Sequence, residues 1–358
     1  MLDLSLPPDV SSYDPDLSQL LGDPLTWRTL DLNRTAHRLD HSYMQLMGIK
    51  RPHVGFAWQQ GDRVTPKWYP QGITGVRSSS SVNASQKFVV VSWYGRVEER
   101  YDHKGVRLSF CDVTDMDAIR YRHVLLVQPV DGERVFQPIE FHAGGIATSG
   151  HHLFVASPGG MRVFDANRIF KVSPDGTKSK CGMHGGEGFA FDYLYVLPQV
   201  ARYHMSHGDG VRFSYCSTDL TNPSAPRLLT GNYHDRDNTT YRNPPALISW
   251  WDLDGGSIVS GHARVETTIE NVQGALALGD RVWMSGGASK PRLRVGKVAN
   301  GAFTLVHDDF TWPRGCEDLH YSTISDNLWC LSEYPYSYAT DPKHNRFVWA
   351  VKLSDYTP

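Results

Sequence analysis

The stretch "GVRLSFCDVTD", residues 105–115, aligns residue for residue through its cysteine with "GVRFSYCSTDL", residues 210–220. Each copy begins at a glycine and continues as a run of β-branched and aromatic residues. Fainter versions of the same strand pattern follow at 160–167 and 292–300. A supersecondary unit that recurs along a chain is typical of radial or solenoid architectures. The repeat therefore favours a β-propeller over a sandwich or a barrel.

Short β-branched and aromatic runs separated by Gly, Pro, Asn and Asp clusters fill the chain from about residue 68 onward. A helical pattern is visible only around residues 35–48. We predict an all-β protein with a single β-propeller, five blades being favoured over six. Residues 1–25 form an N-terminal extension and residues 26–358 the propeller domain. The strand-like segment "TWRTLDLN" (26–33) is expected to complete the last blade beside "RFVWAVKL" (346–353), because a closed ring leaves no exposed edge.

Five fragments place one polar residue at the start of a strand-like segment, and we interpret each as the innermost strand of a blade. Inner strands crowd around the channel, where glycine is favoured, and glycine follows or nearly follows the polar residue in most fragments. In "GCEDLHYS" (315–322) the glycine precedes the polar residue, and "YVLPQVAR" (195–202) has no glycine. The polar residues are then expected to converge on the channel: Gln71, His142, Gln199, Gln273 and Glu317.

The channel is the predicted site. We expect His142 and Glu317 to be catalytic, since a histidine moves protons near neutral pH and a carboxyl group can act as acid or base. Amide side chains orient a substrate without adding charge. The predicted substrate-binding residues are Gln71, Gln199, Gln273, His320 and Tyr321. Asp318 should face away from Glu317, because adjacent residues on a strand point to opposite sides. Polar residues that only hold water in the channel are the structural alternative.

Composition excludes several classes of function. A net charge of −2 gives no electrostatic basis for binding nucleic acid or an anionic membrane. The chain has no apolar run of transmembrane length, and its first residues lack the features of a signal peptide. These features predict a cytoplasmic protein, or a secreted one if a leader has been removed. The five cysteines have no CxxC spacing and are expected to be free thiols, although Cys316 and Cys330 could pair across a hairpin.

No nucleotide-binding or serine-nucleophile motif is present, so no cofactor is predicted. No side chains are assigned to a metal, although calcium held by backbone carbonyls stays open. "EYPYSY" (333–338) is expected to be a partly exposed aromatic segment.

Three stretches carry a resemblance to known proteins: "GVRLSFCDVTDMDAIRYRHVLLVQP", "HAGGIATSGHHLFVASPGGMRVFD" and "CEDLHYSTISDNLWCLSEYP". They resemble a family of uncharacterised actinobacterial β-propeller-like proteins and, more distantly, the "VRVFDVTDP" repeats of LVIVD-type propellers. The resemblance covers most of the chain from about residue 68 and implies a propeller. It implies no activity and no catalytic residues.

The predicted function is a cofactor-independent lyase, cyclase or isomerase that acts on a small organic or natural-product-like molecule by acid–base chemistry. Two alternatives stay open. The first is a non-catalytic propeller that binds a ligand or a protein. The second is a carbohydrate-active hydrolase or lyase, which would require a second carboxylate facing Glu317. The expected partner is a small molecule, and the sequence predicts no particular oligomeric state.

Overall fold

The structure, a computed structural model, describes residues 4–5, 14–76, 87–96, 104–205, 212–287, 290–336 and 345–358. The N-terminal part is a chain of short elements before the first blade. None of the described helices is long and apolar enough to span a membrane. In order, the elements are β1 (Leu4–Ser5), α1 (Asp14–Leu21), a 3₁₀ helix (Trp27–Thr29), β2 (Arg34–Thr35), β3 (His37–Arg38), α2 (His41–Leu46), β4 (Val54–Ala57) and α3 (Gln60–Val64).

The first two blades are antiparallel four-stranded units joined at their outer strands. The first blade consists of β5 (Trp68–Val76), β6 (Phe88–Gly95), β7 (Val106–Asp112) and β8 (Arg120–Pro129), with β9 (Phe136–Pro138) on its edge. The second consists of β10 (Ile146–Ser149), β11 (His152–Ser157), β12 (Gly160–Asp165) and, after an excursion through β13 (Phe170–Lys171), β14 (Cys181–His184) and β15 (Glu187–Ala190), β16 (Tyr195–Met205). The strand β16 also pairs in parallel with β8, which makes the two blades one continuous sheet.

Three more units complete the ring, two of four strands and one of five. The third is β17 (Tyr215–Asp219), β18 (Arg227–Gly231), β19 (Leu247–Asp254) and β20 (Ser257–Glu266). The fourth is β21 (Val272–Leu278), β22 (Arg281–Gly286), β23 (Arg292–Ala299) and β24 (Ala302–Thr311). The fifth is β25 (Cys316–Ser322), β26 (Asn327–Ser332) and β27 (Phe347–Lys352), followed by β4 and β3 from the N-terminal part and a 3₁₀ helix (Leu353–Tyr356) at the C-terminus.

The first strands of the five blades succeed one another around a common axis, and close contacts join each to the next. A Cβ atom on Gly72 would lie 2.6 Å from the Ile146 nitrogen, and one on Gly145 would lie 2.2 Å from the Cys216 nitrogen. The Ser217 hydroxyl donates to the Ala275 carbonyl at 2.6 Å. Contacts between Gly274 and Asp318, and between Asp318 and Ile73, close the ring. The protein is therefore an all-β propeller, as the sequence predicts, and the described residues supply five inner strands.

Burial follows position within a blade. Residues 88–93 of β6 are buried without interruption, because a second strand has a neighbouring blade on each face. The outermost strand β24 is instead largely exposed. Between the first and fifth blades the core includes Phe56, Trp93 and Val348. Tight packing of large side chains between blades thus fixes their angles around the axis.

Three sequence interpretations need correction. The two copies of the repeat do not occupy equivalent places, because 105–115 contains the third strand β7 whereas 210–220 contains the inner strand β17. An N-terminal strand does close the ring, but it is β4, which pairs with β27 from Ala57–Phe347 to Val54–Ala350. The segment 26–33 forms a 3₁₀ turn instead. The predicted helix around 35–48 is reduced to α2.

All five cysteines are buried free thiols, so the predicted thiols are confirmed and no Cys316–Cys330 disulfide forms.

Candidate functional site

The predicted channel residues lie at one end of the propeller, which we call the channel mouth. Gln71 is the fourth residue of β5, Gln273 and Glu317 are the second residues of β21 and β25, and His142 comes just before β10. Each of the three strands has a register shift at its polar residue, between Pro70 and Ile73, Val272 and Gly274, and Cys316 and Leu319. A β-bulge re-aims a side chain that would otherwise follow the regular alternation. The repeated bulge explains how three blades turn a polar group toward the axis.

Two carboxyl groups meet at the channel mouth, and each is held by a glutamine amide. The Gln71 Nε2 atom donates to Glu333 Oε2 at 2.9 Å, and Gln273 Nε2 donates to Glu317 Oε1 at 3.4 Å. Glu317 is fully buried, whereas Glu333, which follows the second strand β26, stays partly accessible. Glu333 also raises the pKa of Glu317, so the two groups are electrostatically coupled.

The surroundings of the two carboxyls shift their pKa values differently. Loss of hydration raises the pKa of Glu317 well above its usual range, and the neighbouring Glu333 and Asp318 raise it further. Burial also raises the pKa of Glu333, but the Gln71 amide, the Arg346 cation and the Tyr334 hydroxyl oppose the shift and hold it at about 7. Near neutral pH, Glu317 therefore carries a proton while Glu333 exchanges one.

Asp318 lies deeper along the same axis. Its Oδ2 accepts hydrogen bonds from the backbone N–H groups of Ile146 at 3.0 Å and Ile73 at 3.3 Å, which belong to two other inner strands. Burial raises the pKa of Asp318, and these N–H donors oppose the rise. The expectation that Glu317 and Asp318 face opposite sides is wrong, because the bulge between Cys316 and Leu319 turns both carboxyls inward.

Aromatic side chains and one histidine form the wall of the channel mouth. The Tyr94 ring stacks on the His142 imidazole at 4.5 Å between centroids, and Tyr69 lies 5.8 Å from Tyr94. His142 is exposed to solvent, but the surrounding walls displace enough water to lower its pKa, so it is neutral near pH 7. Burial and then the charges of Glu333 and Glu317 raise the pKa of Tyr94, and they raise that of Tyr334 to about 12. Both phenols therefore remain hydrogen-bond donors.

Arg346 supports the mouth from beneath. The side chain is fully buried, and its Nε donates to the Glu333 carbonyl at 2.9 Å. Its Nη1 donates to the carbonyls of Asp62 at 2.7 Å and Thr65 at 3.1 Å. Because the guanidinium is anchored by three backbone carbonyls, it fixes the backbone that carries Glu333.

Three predicted substrate-binding residues lie elsewhere. Gln199 is on the fourth strand β16, opposite Phe164, and its Oε1 accepts from Arg162 Nη1 at 2.5 Å. The prediction for Gln199 is wrong because the same alternating pattern occurs in outer and inner strands. His320 lies toward the other end of β25, against Gly75, and lines a cavity of about 570 Å³ between the first and fifth blades.

Tyr321, next to His320, is also away from the mouth. Its hydroxyl lies 3.3 Å from Asp326 Oδ1 in the turn between β25 and β26. The structure thus brings together Gln71, His142, Gln273 and Glu317, and leaves the other three predicted residues outside the site.

Glu333 is the residue of the candidate site that the sequence did not predict. It lies in the segment 333–338, of which residues 337 and 338 fall outside the described part, and the sequence analysis noted only the aromatic residues there. The position of Glu333 follows from the order of strands in a blade. A blade's second strand runs antiparallel to the first and must end where the first begins, so the residue after β26 had to lie near Glu317.

A larger cavity of about 600 Å³ opens at the rim of the first blade, lined by the basic side chains Arg34, Arg107 and Arg122 among others. Each of these three is already paired, Arg34 and Arg107 with Asp62 and Arg122 with Asp31. The channel mouth is the better candidate for catalysis, because it joins proton-exchanging groups from several blades. Side chains arranged to hold a metal are found in the described residues at His151, His152 and Asp165, away from the mouth.

No protein-family model matches the sequence, and no curated protein matches it either. Solved structures align over most of the chain with low similarity. A GH43_1 enzyme from Xanthomonas citri complexed with xylose has 12% identity, coverage of 87% of this chain and 93% of that one, and a TM-score of 0.43. A gluconolactonase from Xanthomonas campestris has 13% identity, coverage of 93% and 88%, and a TM-score of 0.38. A chain of the mitotic checkpoint complex has 10% identity, coverage of 79% and 90%, and a TM-score of 0.35. This chain is similar to all three at a level that assigns no activity to it.

Proposed function

We propose that the channel mouth is the active site of an enzyme that cleaves a glycosidic bond in a neutral, hydroxyl-rich substrate. The observation that carries the proposal is the pair Glu317 and Glu333. Glycoside hydrolysis needs two carboxyl groups, one that donates a proton and one that acts as base or nucleophile. Two carboxyls whose surroundings push their pKa values apart provide this division of roles.

Each carboxyl has a role that follows from its surroundings. Glu317 is buried and retains its proton, so it is the group that protonates the departing sugar oxygen. Glu333 has a pKa of about 7 and is partly accessible, so its ionised form can activate water or attack the substrate. Gln71 and Gln273 hold the two carboxyls in place, since each donates to one of them.

The walls of the mouth suit a sugar ring. Tyr94 and Tyr69 lie in the wall, and an aromatic side chain combines a large apolar surface with a polar hydroxyl. High pKa values keep the Tyr94 and Tyr334 hydroxyls protonated, so they can donate to substrate oxygens. The site combines apolar faces with uncharged donors and carries little fixed charge, which favours a neutral substrate.

A second candidate is a lyase, cyclase or isomerase that moves a proton on a small organic molecule. The observation that favours it is His142, a neutral imidazole stacked on Tyr94 within reach of the same mouth. A neutral imidazole can accept a proton from carbon or oxygen, and Glu317 could return one. In this reaction His142 would be essential, whereas glycosidic cleavage by the carboxyl pair requires it only for positioning.

The test is a screen of the purified protein against nitrophenyl glycosides of both anomers and labelled oligosaccharides. For any substrate found, Glu333→Gln and Glu317→Gln should each lower kcat by about 10²–10⁴-fold, because each removes one proton-transfer group. Gln199→Met is the matched control, since Gln199 is also a buried glutamine but lies on the outer strand β16. It should keep wild-type kcat per folded molecule.

The outcomes separate the candidates. Wild-type turnover in both glutamate variants would exclude the carboxyl pair as the catalytic unit. Loss of turnover in His142→Ala with full activity in Glu333→Gln would favour the lyase or isomerase. If sugars raise the melting temperature without being cleaved, the protein is a binding propeller, because a ligand stabilises the native state it prefers.

A further inference from the structure

The second blade carries a cluster of metal-ligand side chains at the end of the propeller opposite the mouth. His151 directly precedes β11, His152 begins it, and Asp165 ends β12. One ligand atom of each residue lies within 4.8 Å of those of the other two. The inner strand β10 runs from Ile146 near the mouth to Ser149, so the turn at Gly150 and the histidines after it lie at the far end. The cluster is thus separate from the carboxyl pair.

We propose that His151, His152 and Asp165 form a binding site for a divalent transition-metal ion of the zinc class. Two imidazole nitrogens and one carboxylate oxygen are donors that zinc accepts, and three protein ligands leave the remaining position open to water. Tetrahedral bonds of about 2.0–2.1 Å place ligand atoms roughly 3.4 Å apart. His151 Nε2 and Asp165 Oδ2 are already 3.7 Å apart. Small side-chain rotations therefore complete the site.

Surrounding contacts hold the ligands in position before any ion binds. Asp165 Oδ1 accepts the Asn167 backbone N–H at 2.8 Å, which turns Oδ2 toward the histidines. His152 is the cross-strand partner of Asp165, so the two side chains emerge side by side. The rings of His151 and His152 lie 4.2 Å apart. Hydrogen bonds of this kind orient metal ligands in natural sites and support their affinity.

The third blade covers one side of the cluster. A Cβ atom on Gly256, in the turn between β19 and β20, would lie 2.4 Å from the His152 ring. The ring is therefore packed against backbone and has little freedom, whereas His151 is exposed. The ion would bind with one side against protein and the other toward water. The ion would also link the turn after β10 to the end of β12. With four residues, β10 is the shortest inner strand of the described ring.

The test is calorimetric titration of the intact protein with Zn²⁺ near neutral pH, repeated with Co²⁺ to follow coordination by visible absorption, with Mg²⁺ as the negative ion. The wild type should bind one Zn²⁺ saturably and melt at a higher temperature with zinc. His152→Gln and Asp165→Asn should each weaken binding at least about tenfold, since loss of even a supporting partner has this effect. The control is His262→Ala, because His262 also faces an aspartate, Asp252 at 3.3 Å, on an outer strand.

The variants also test folding, since without metal Asp165→Asn should melt at nearly the wild-type temperature. Asparagine keeps the Oδ1 acceptor for Asn167 and loses only the second oxygen. Zinc binding that is unchanged in both ligand variants would overturn the proposal, as would the absence of saturable binding in the wild type. Equal weakening in His262→Ala would overturn it too, because binding would then be spread over surface histidines.

Discussion

Gln71 and Glu333, 262 positions apart in the chain, are joined by a hydrogen bond of 2.9 Å between Nε2 and Oε2. Gln71 belongs to the inner strand of the first blade and Glu333 to the fifth blade, so the bond spans the junction at which the ring closes. It stabilises the ionised form of a partly accessible carboxyl whose pKa is nevertheless raised to about 7. The hydrogen bond that joins the first and fifth blades therefore also holds the proton-exchanging carboxyl of the proposed site.

Glu333 should destabilise the protein above neutral pH. Its folded-state pKa of about 7 exceeds the ordinary value of 4.5, so the folded protein binds this proton more tightly than the unfolded chain does. Stability then falls as pH rises from about 4.5 to 7, by at most about 3 kcal/mol. Glu333→Gln should raise the free energy of unfolding in urea at about pH 8 and change it little at about pH 5. The control Glu187→Gln, at an exposed glutamate, should have no effect at either pH.

The pH dependence of catalysis should report the same group. If Glu333 acts ionised and Glu317 protonated, kcat/KM rises with pH through about 7 and falls again where Glu317 loses its proton, at a pKa raised by burial. Gln71→Met removes the amide that stabilises the Glu333 anion. The rising limb should then move to higher pH by about one to two units, because a hydrogen bond to a charged group contributes about 1.5–3 kcal/mol. A rising limb that stays in place would mean that another group is the base.

Much of this site was predictable from the sequence, because crowding at a propeller axis leaves a local mark. Gln71 and Gln273 each precede a glycine that a neighbouring inner strand approaches closely. Gln199 also precedes a short apolar run, but no glycine follows it, and it lies on an outer strand. The alternation of side chains is the same in inner and outer strands, so only the glycine separated the two cases.

The rest depends on contacts between distant parts of the chain. Glu333 has no neighbouring glycine and follows a second strand, so no local pattern identifies it. Burial raises its pKa, and Gln71 on β5 and Arg346 just before β27 oppose the rise and hold the value at about 7. The closing strand β4 was misplaced for a similar reason, because several N-terminal segments could pair with β27, and packing of Phe56 in the interface between blades decides among them.

The inner-strand glycines should tolerate no side chain. A Cβ atom on Gly145 would lie 2.2 Å from the Cys216 nitrogen and 2.6 Å from the Tyr215 Cα, and neither backbone atom can move without opening the ring. Gly145→Ala should therefore lower the free energy of unfolding by at least about 3 kcal/mol, or prevent recovery of folded protein. Gly61→Ala is the control, since Gly61 lies in α3 with nothing within 4 Å of the added carbon. It should stabilise by about 0.5–1 kcal/mol, and equal losses in both variants would contradict the crowding argument.

Asp62 should be the ion-pairing residue on which stability depends most. The buried carboxylate accepts from Arg107 Nη2 at 2.9 Å, Arg34 Nη1 at 3.1 Å and the Tyr121 hydroxyl at 2.6 Å. Burial opposes ionisation, but His123, whose Nε2 lies 3.0 Å from Asp62 Oδ1, and the Arg107 and Arg34 cations outweigh it and hold the pKa of Asp62 well below its usual range. The stabilisation is thus complete above about pH 4 and is lost only as pH falls toward that depressed value.

Asp62→Asn should remove about 3–5 kcal/mol of the free energy of unfolding near neutral pH, because it leaves Arg107 buried without its counter-charge. The matched control is Asp117→Asn, which breaks the exposed pair of Asp117 with Arg38 at 2.6 Å. That pair is hydrated on both sides and should contribute less than about 1 kcal/mol. Urea denaturation of the two variants beside the wild type measures the difference. A loss of similar size in both would mean that burial does not set the strength of the Asp62 pairs.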